Sequence, residues 1–403
     1  MVIGIIGGGA SGVAAALAAA ENPNVEVLLL ERQARVGRKL QATGNGRCNL
    51  TNLHADAGGY HGENAGFVQF ALNRYPVEET LQWFSQLGLY TVSEDNGRVY
   101  PYSDQANSVV DVLRFGLQKE NIRLVTGAEV TRVRKTENGF TITCTEGNYE
   151  CNKLIIACGG LAGTKLGGSM SGYKLLRSLG HHCTKLRPAL VQLKSSWNGC
   201  LSLKGVRANC CAEIWHNGAT HSKSAGELQF TEYGLSGPVI FEISRDVCQS
   251  AGDWVCKLDF LPDMDETALY HILCSRRNMP ITTDDLLTGI LHNRLGRVLT
   301  AAAGVPMQRS CAMLSDEDIR QVVDVVKGLE VSLTDTMGMD SAQVTAGGIC
   351  TDEFDPQTMN SRLVSDLYAC GEVLDIDGDC GGYNLQWAWS SGRLAGHCAG
   401  GSV

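Results

Sequence analysis

The chain has 403 residues, more than twice the roughly 150 of a common domain, which excludes a peptide-sized module and implies two or three domains with cores of their own. Thirty-four Lys and Arg against 43 Asp and Glu give a net charge of −9, which excludes the global basic footprint of a DNA or anionic-membrane binder and leaves open only a local basic patch. Glycine is the outlier: 47 residues, about 12% against an ordinary share of about 7%, beside only 9 prolines and no collagen-like period. Such a surplus predicts backbone positions that need φ > 0 or a very close approach, as in nucleotide-binding loops.

In chain order, Val2–Ile6 reads as a short buried strand that runs into Gly7-Gly8-Gly9-Ala10-Ser11-Gly12 and an Ala-rich helix ending near Asn22-Pro23. A second buried strand, Val25–Leu30, ends at Glu31 and completes a βαβ unit. The loop Gly37–Asn49 that follows is too rich in glycine and polar residues to be core. Apolar residues at helical spacing predict helices over 76–88 and 107–120. Residues 122–156 read as a β-meander with turns at Glu137-Asn138-Gly139 and Glu146-Gly147-Asn148. A helix is expected over 171–180, short β-like segments from 187 to 260, and helices over 264–326. Strand-like sequence resumes at Val344–Ile349, followed by a strand Leu367–Cys370, a long loop, and a helix from Asn384 to about His397. The expected organisation is α/β: a discontinuous Rossmann-like domain (1–186 and 344–403) with an inserted β-rich domain (187–261 and 327–343) and a small helical domain (262–326).

Sixteen cysteines are scattered without any C-x-x-C pair, and Cys210-Cys211 are adjacent, so they read as buried thiols in a reducing compartment and as no metal site. MVIGIIGGGASG carries no charged leader, and no run of about 20 apolar residues follows. A soluble cytoplasmic protein with no membrane partner is the expectation.

The G-x-G-x-x-G of Gly7, Gly9 and Gly12 stands where the chemistry needs it, after a strand and opening a helix. Gly7 permits the tight turn, Gly9 lets a pyrophosphate approach the backbone, and Gly12 lets the helix lie close to the strand. The helix N-terminus offers unpaired N–H groups and the positive end of its dipole. Glu31, 19 residues after Gly12, is placed to accept the ribose hydroxyls of an adenosine. The far end of the chain favours FAD over NAD. Gly371-Glu372 and Asp375–Gly378 lead through Gly381-Gly382-Tyr383-Asn384 into a helix whose dipole suits the negative charge that builds at the flavin N1/O2 region on reduction. No second G-x-G-x-x-G follows a strand, since Gly167–Gly172 lacks the spacing, so NAD(P)H is expected as a transient donor.

Three blocks of sequence, Arg38–Asn52, Gly226–Pro238 and Gly371–Ala388, resemble the bacterial FAD-dependent oxidoreductases that include bile-acid reductase, aminoacetone oxidase and ribosomal-RNA dihydrouridine synthase members. The match spans nearly the whole chain in order. The resemblance implies a discontinuous FAD domain, a β-rich domain and a small helical domain. It places Gly7, Gly9, Ala10, Ser11 and Gly12 at the pyrophosphate, Glu31 and Arg32 at the adenosine, and Val130 by the adenine. Lys39, Thr43, Gly44 and Asn49 fall along the ribityl and isoalloxazine side, and Gly371, Glu372, Asp377, Asn384 and Leu385 around the flavin end.

For proton transfer the sequence offers Tyr383 and Cys48; the competing readings are an aromatic packed at a domain seam and a loop thiol without the close partner of disulfide reductases. Trp387 and Trp389, two apart on a helix, read as packing residues. His181-His182 reads as a helix-end pair rather than a metal site, and Tyr100-Pro101-Tyr102 as an extended turn that borders a pocket or none. The function expected first is reduction of an activated C=C in a small molecule, a steroid- or bile-acid-like enone. The alternatives are uridine reduction in ribosomal RNA, for which Arg32, Arg35, Arg38, Lys39 and Arg47 form a basic cluster, and oxidation of a small amine.

Overall fold

A computed structural model describes residues 1–401 except 95, 248, 249 and 251. The chain divides into two compact units, one of residues 1–187 and 343–403 and the other of residues 188–342.

The first unit is built on a five-stranded parallel sheet. Strand β1 (Val2–Ile6) leads through helix α1 (Ala10–Ala19) to β2 (Glu26–Glu31). Two short strands, β3 (Thr51–Asn52) and β4 (Tyr60–His61), follow, then helices α2 (Gln69–Arg74) and α3 (Val77–Gln86), strands β5 (Thr91–Ser93) and β6 (Arg98–Pro101), and helix α4 (Ala106–Gly116). Next come β7 (Ile122–Thr126), β8 (Val130–Thr136), β9 (Gly139–Cys144), β10 (Gly147–Cys151), β11 (Lys153–Ile156) and helix α5 (Ser171–Ser178). The parallel sheet runs Leu367–Ala369, β11, β1, β2, β7, with Ile5 facing Leu29 on one side and Ile155 on the other. Helices cover such sheets on both faces, which is why its central strands are near-continuous apolar runs.

Two expectations change here. The stretch 122–156 is not one meander: β7 pairs parallel to β2 at the sheet edge, β8–β9–β10 form the antiparallel meander, and β11 returns to the centre beside β1. Alternation reveals strands but not their partners. The other change is length: the C-terminal helix spans Tyr383–Gly400, and Gly401 ends it with φ +71°. Gly392, Gly396 and Gly400 fall four apart on one face. A Cβ at Gly392 would lie 2.4 Å from Ser11 O, and one at Gly396 would lie 2.3 Å from Ala15 O, so the two helices touch backbone to backbone.

The second unit is a closed barrel of six strands in the order Leu193–Ser195, Gly234–Ser236, Ala219–Thr231, Arg207–His216, Trp254–Asp259, Leu329–Thr336. Within the stretch expected to be β-like, Pro238–Val247 is a helix. Proline at its first position and Val239, Ile240, Ile243 and Val247 buried on one face explain it. Helices Glu266–Ser275, Asn293–Ala302 and Asp316–Gly328 share one hydrophobic core with the barrel. The last of them starts in a capping box between Ser315 and Asp318.

Candidate functional site

The glycine turn is made by backbone. Gly7 has φ +112°, and a Cβ there would sit 2.4 Å from Ala157 O. A Cβ at Gly12 would sit 1.8 Å from Gly7 O, so helix α1 lies directly on the turn. Gly9 is the opposite case, because a Cβ there would meet nothing within 4 Å. It is the N-cap of α1 and no side chain caps that helix, so its first-turn N–H groups have no side-chain acceptor. Ala10 and Ser11 form that first turn.

Glu31 is buried at the end of β2, its Oε2 accepting from Gly8 N at 2.6 Å and its Oε1 from Gln33 N at 2.7 Å. A carboxylate keeps further lone pairs beyond those two bonds. The chain returns to this point after β7, with Ala128 N donating to Glu31 O at 2.9 Å, and Val130 is buried just beyond. Arg32 donates to Gly167 O at 2.6 Å.

The second end joins loops more than 300 residues apart. Lys39 Nζ donates to Glu372 Oε2 at 2.9 Å, and Thr345 N donates to Glu372 Oε1 at 2.9 Å. Thr43 Oγ1 donates to Leu40 O at 2.7 Å, after which Gly44 turns with φ +57°. The loop 37–49 is not wholly outside the core, as its polarity suggested: Leu40, Cys48 and Asn49 are buried. Asn49 Oδ1 is buried without a hydrogen-bond partner. Gly371, with φ +75°, packs against Ser11, and Asp377 is buried in the two-residue strand Asp377–Gly378 paired with β4. Asn384 spends its amide on Gly378, accepting from its N at 2.8 Å and donating to its O at 2.7 Å. Leu385 packs against the core.

Sequence reasoning missed the tie between these loops. Gln386, fully buried, accepts from Thr51 Oγ1 at 2.6 Å, and its Nε2 has Tyr75 O, Thr80 Oγ1 and Ser390 Oγ within hydrogen-bond reach of its two N–H groups. Asn52 Nδ2 donates to Gly381 O at 2.9 Å. The missed signal was a polar Gln within a helix already read as packed by Trp387 and Trp389, both of which are buried. His61 and Asp379, also unread, form a hydrogen bond of 2.7 Å beside this end.

Other candidates resolve individually. Burial pushes the Cys48 thiol up to about 11, with a hydrogen bond to Thr43 opposing, so it is a neutral thiol at physiological pH. Tyr383 packs edge-on against Tyr60 at 5.8 Å, and its hydroxyl donates to His54 O at 3.2 Å. His181 and His182 share the Glu353 carboxylate. Tyr100 is buried beneath Arg47, whose guanidinium lies 3.9 Å from its ring centroid, while Tyr102 is exposed. The basic cluster is largely spoken for: Arg32 and Lys39 as above, Arg38 on Gln33, and Arg47 on Glu94 and Asp104. The fifteen described cysteines are free thiols.

These residues fit FAD. Open space over Gly9, a helix N-terminus without a side-chain cap, a buried acid at the strand end and the orphaned Asn49 Oδ1 are what a pyrophosphate, a ribose and a polar ring edge require. Sheet, turn and loops together define a Rossmann-type FAD-dependent oxidoreductase. The chain belongs to the HI0933-like family, whose Rossmann domain matches residues 1–398. It is 39% identical over 403 residues to the 3-dehydro-bile acid delta(4,6)-reductase of Clostridium scindens, covering 98% of each chain. It is 33% identical over 391 residues to the ribosomal RNA dihydrouridine synthase of Escherichia coli, covering 96% of this chain and 95% of that one. Among solved structures, the open conformation of a flavocytochrome c3 fumarate reductase is 14% identical with a TM-score of 0.48, covering 99% of this chain and 78% of that one. That last likeness is too distant to bear on function.

Proposed function

We propose that the protein reduces an activated C=C in a small molecule of the steroid or bile-acid enone class, with NAD(P)H as electron donor. The observation that carries this reading is the end-to-end similarity to a bile-acid reductase at 39% identity. When bound, FAD supplies the hydride chemistry, which no amino-acid side chain offers.

The chain's own residues do the rest. Gly7, Gly9 and Gly12, with the N–H groups of Ala10 and Ser11, receive the pyrophosphate, and Glu31 accepts the ribose hydroxyls. Arg32 and Val130 border the adenosine. Glu372 holds the Lys39 ammonium, and Lys39, Thr43, Gly44 and Asn49 line the ribityl and isoalloxazine side. The N-terminus of helix Tyr383–Gly400, fixed by Asn384 and Gln386, offers its dipole to negative charge that develops there. Gly371, Asp377 and Leu385 shape the same end.

The second reading, uridine reduction in ribosomal RNA, is favoured by the 33% identity to a dihydrouridine synthase. The intramolecular partners of Arg32, Arg38, Lys39 and Arg47 count against it, because they engage four of the five members of the cluster within the chain itself. No helix of the described residues is long and apolar enough to cross a membrane.

The test is anaerobic reduction of the bound flavin by NADH and by NADPH, then reoxidation with steroid enones, uridine-containing RNA, or oxygen in the presence of a small amine. Reoxidation by enones is expected. Reoxidation by RNA alone, or peroxide formation from the amine without NAD(P)H, overturns the reading.

A further inference from the structure

Adding hydrogen across a polarised C=C needs a proton as well as a hydride, and the residues first considered for it are poorly suited. The Cys48 thiol is buried and held neutral, and the Tyr383 hydroxyl is engaged with His54 O. The Tyr60 phenol is buried, its pKa pushed well above 10 by desolvation. Asp375 and Asp377 are buried carboxylates, and Asp375 accepts from Glu63 N at 3.1 Å.

Beside them stands a pair in partial contact with solvent. His61 Nε2 lies 2.7 Å from Asp379 Oδ1, and each side chain is 38% exposed. The pair is rigidly placed. β4 and Asp377–Gly378 form an antiparallel ribbon with His61 opposite Asp377, and Asp379 N donates to Gly59 O at 2.9 Å. Tyr60 OH donates to Tyr383 O at 2.9 Å, and Asn384 Nδ2 donates to Gly378 O, which pins the ribbon to the N-terminus of the C-terminal helix. A carboxylate on one ring nitrogen fixes the tautomer and orientation of an imidazole, the arrangement of an acid–base dyad.

We infer that the His61–Asp379 pair is the proton source for alkene reduction, with His61 as the acid and Asp379 as its positioning residue. The inference rests on the reading that the substrate is an electron-poor alkene, and it holds equally for an enone and for the C5–C6 bond of uracil. The balance is simple. The π bond breaks, the β-carbon gains hydride from the reduced flavin, which is oxidised by two electrons, and the α-carbon gains H⁺ from Nδ1 of protonated His61. Neutral imidazole remains and recovers its proton from solvent. The other titratable groups of these two loops are Asp377, which stands opposite His61 in the ribbon, Glu63 and Asp375, whose carboxylate accepts from Glu63 N, and Tyr60 and Asp56.

The test uses the FAD-loaded full chain. H61Q should bind FAD, read by fluorescence quenching, and accept electrons from NAD(P)H as the parent does, while its reoxidation by the alkene slows by roughly 10²- to 10⁴-fold. H61A should regain part of that rate with added imidazole, and D379N should slow it less than H61Q. Parent-like reoxidation of H61Q, lost FAD binding, or an H61A defect that imidazole does not relieve overturns the inference while leaving the alkene reading intact. A parent enzyme that reoxidises with neither enone nor RNA overturns both.

Discussion

The two ends of the site are made of different material. At Gly7–Gly12 the contacts are backbone on backbone, and a single Cβ would put atoms 1.8 Å apart. At Gly371–Leu385 a backbone contact persists, since a Cβ at Gly382 would lie 2.4 Å from Thr51 O, but the tie is made by side chains crossing more than 300 residues of sequence, as in Lys39 with Glu372 and Thr51 with Gln386. A backbone cradle tolerates no substitution at its contact points, so it leaves a spacing in the sequence. A side-chain clasp can be assembled from many residue pairs and leaves none.

The sharpest way to break this contrast is at the backbone end. Gly12→Val has no room to fold, since its Cβ alone collides with Gly7 O; little soluble protein is expected, with a loss above about 4 kcal/mol where unfolding is measurable. Gly9→Ala separates ligand from fold. Its Cβ enters open space, so the thermal midpoint of the apoprotein should not change, while FAD affinity falls by about 100-fold, near 2.7 kcal/mol. Equal FAD affinity in Gly9→Ala and the parent protein would show that the space over Gly9 is not where the pyrophosphate lies.

At the side-chain end the costs are smaller and fall on stability first. Gln386→Leu strands the Thr51 and Thr80 hydroxyls inside the core, while Ser390 keeps its bond to Tyr75 O, and urea unfolding should report a loss of about 1–3 kcal/mol. Lys39→Met removes an ion pair that is partly solvent-exposed, worth about 0–1 kcal/mol to the fold, yet it should shift the absorption spectrum or potential of the bound flavin if Lys39 stands beside the ring. A spectrum identical to the parent's would move Lys39 out of the site.

Legibility follows the same division. The βαβ unit, Glu31 and the return of the C-terminal segment were readable, because buried parallel strands and a glycine turn impose composition and spacing. The meander boundary was not, since β7 and β8 have the same strand character and differ only in partner. Nor was the helix Pro238–Val247, where a Gly-Pro after a strand reads as a turn until the apolar spacing beyond it is counted. Gln386, His61 and Asp379 carry no local pattern at all; only folding puts them next to their partners. Among the uses of the glycine surplus are the cradle at residues 7–12 and the helix contact at Gly392 and Gly396, and of these two only the first has a familiar signature.

Cys48 gives the smallest expected effect and the cleanest distinction between a residue in the site and one that shapes it. Burial holds its thiol at about 11 against an ordinary value near 9. An acid whose folded-state pKa is raised contributes stability that is fully present below pH 9 and is lost as pH climbs through 11. Cys48→Ala should therefore leave alkene reduction unchanged at pH 7, flatten the alkaline fall of the thermal midpoint between pH 9 and pH 11, and cost the fold about 1 kcal/mol or less, as one small buried group does. Alkylation of native protein at Cys48 near pH 8, or a large loss of turnover in Cys48→Ala with FAD still bound, would instead make this thiol part of the chemistry; without either, Cys48 is the buried anchor of the loop that carries Lys39 to Glu372.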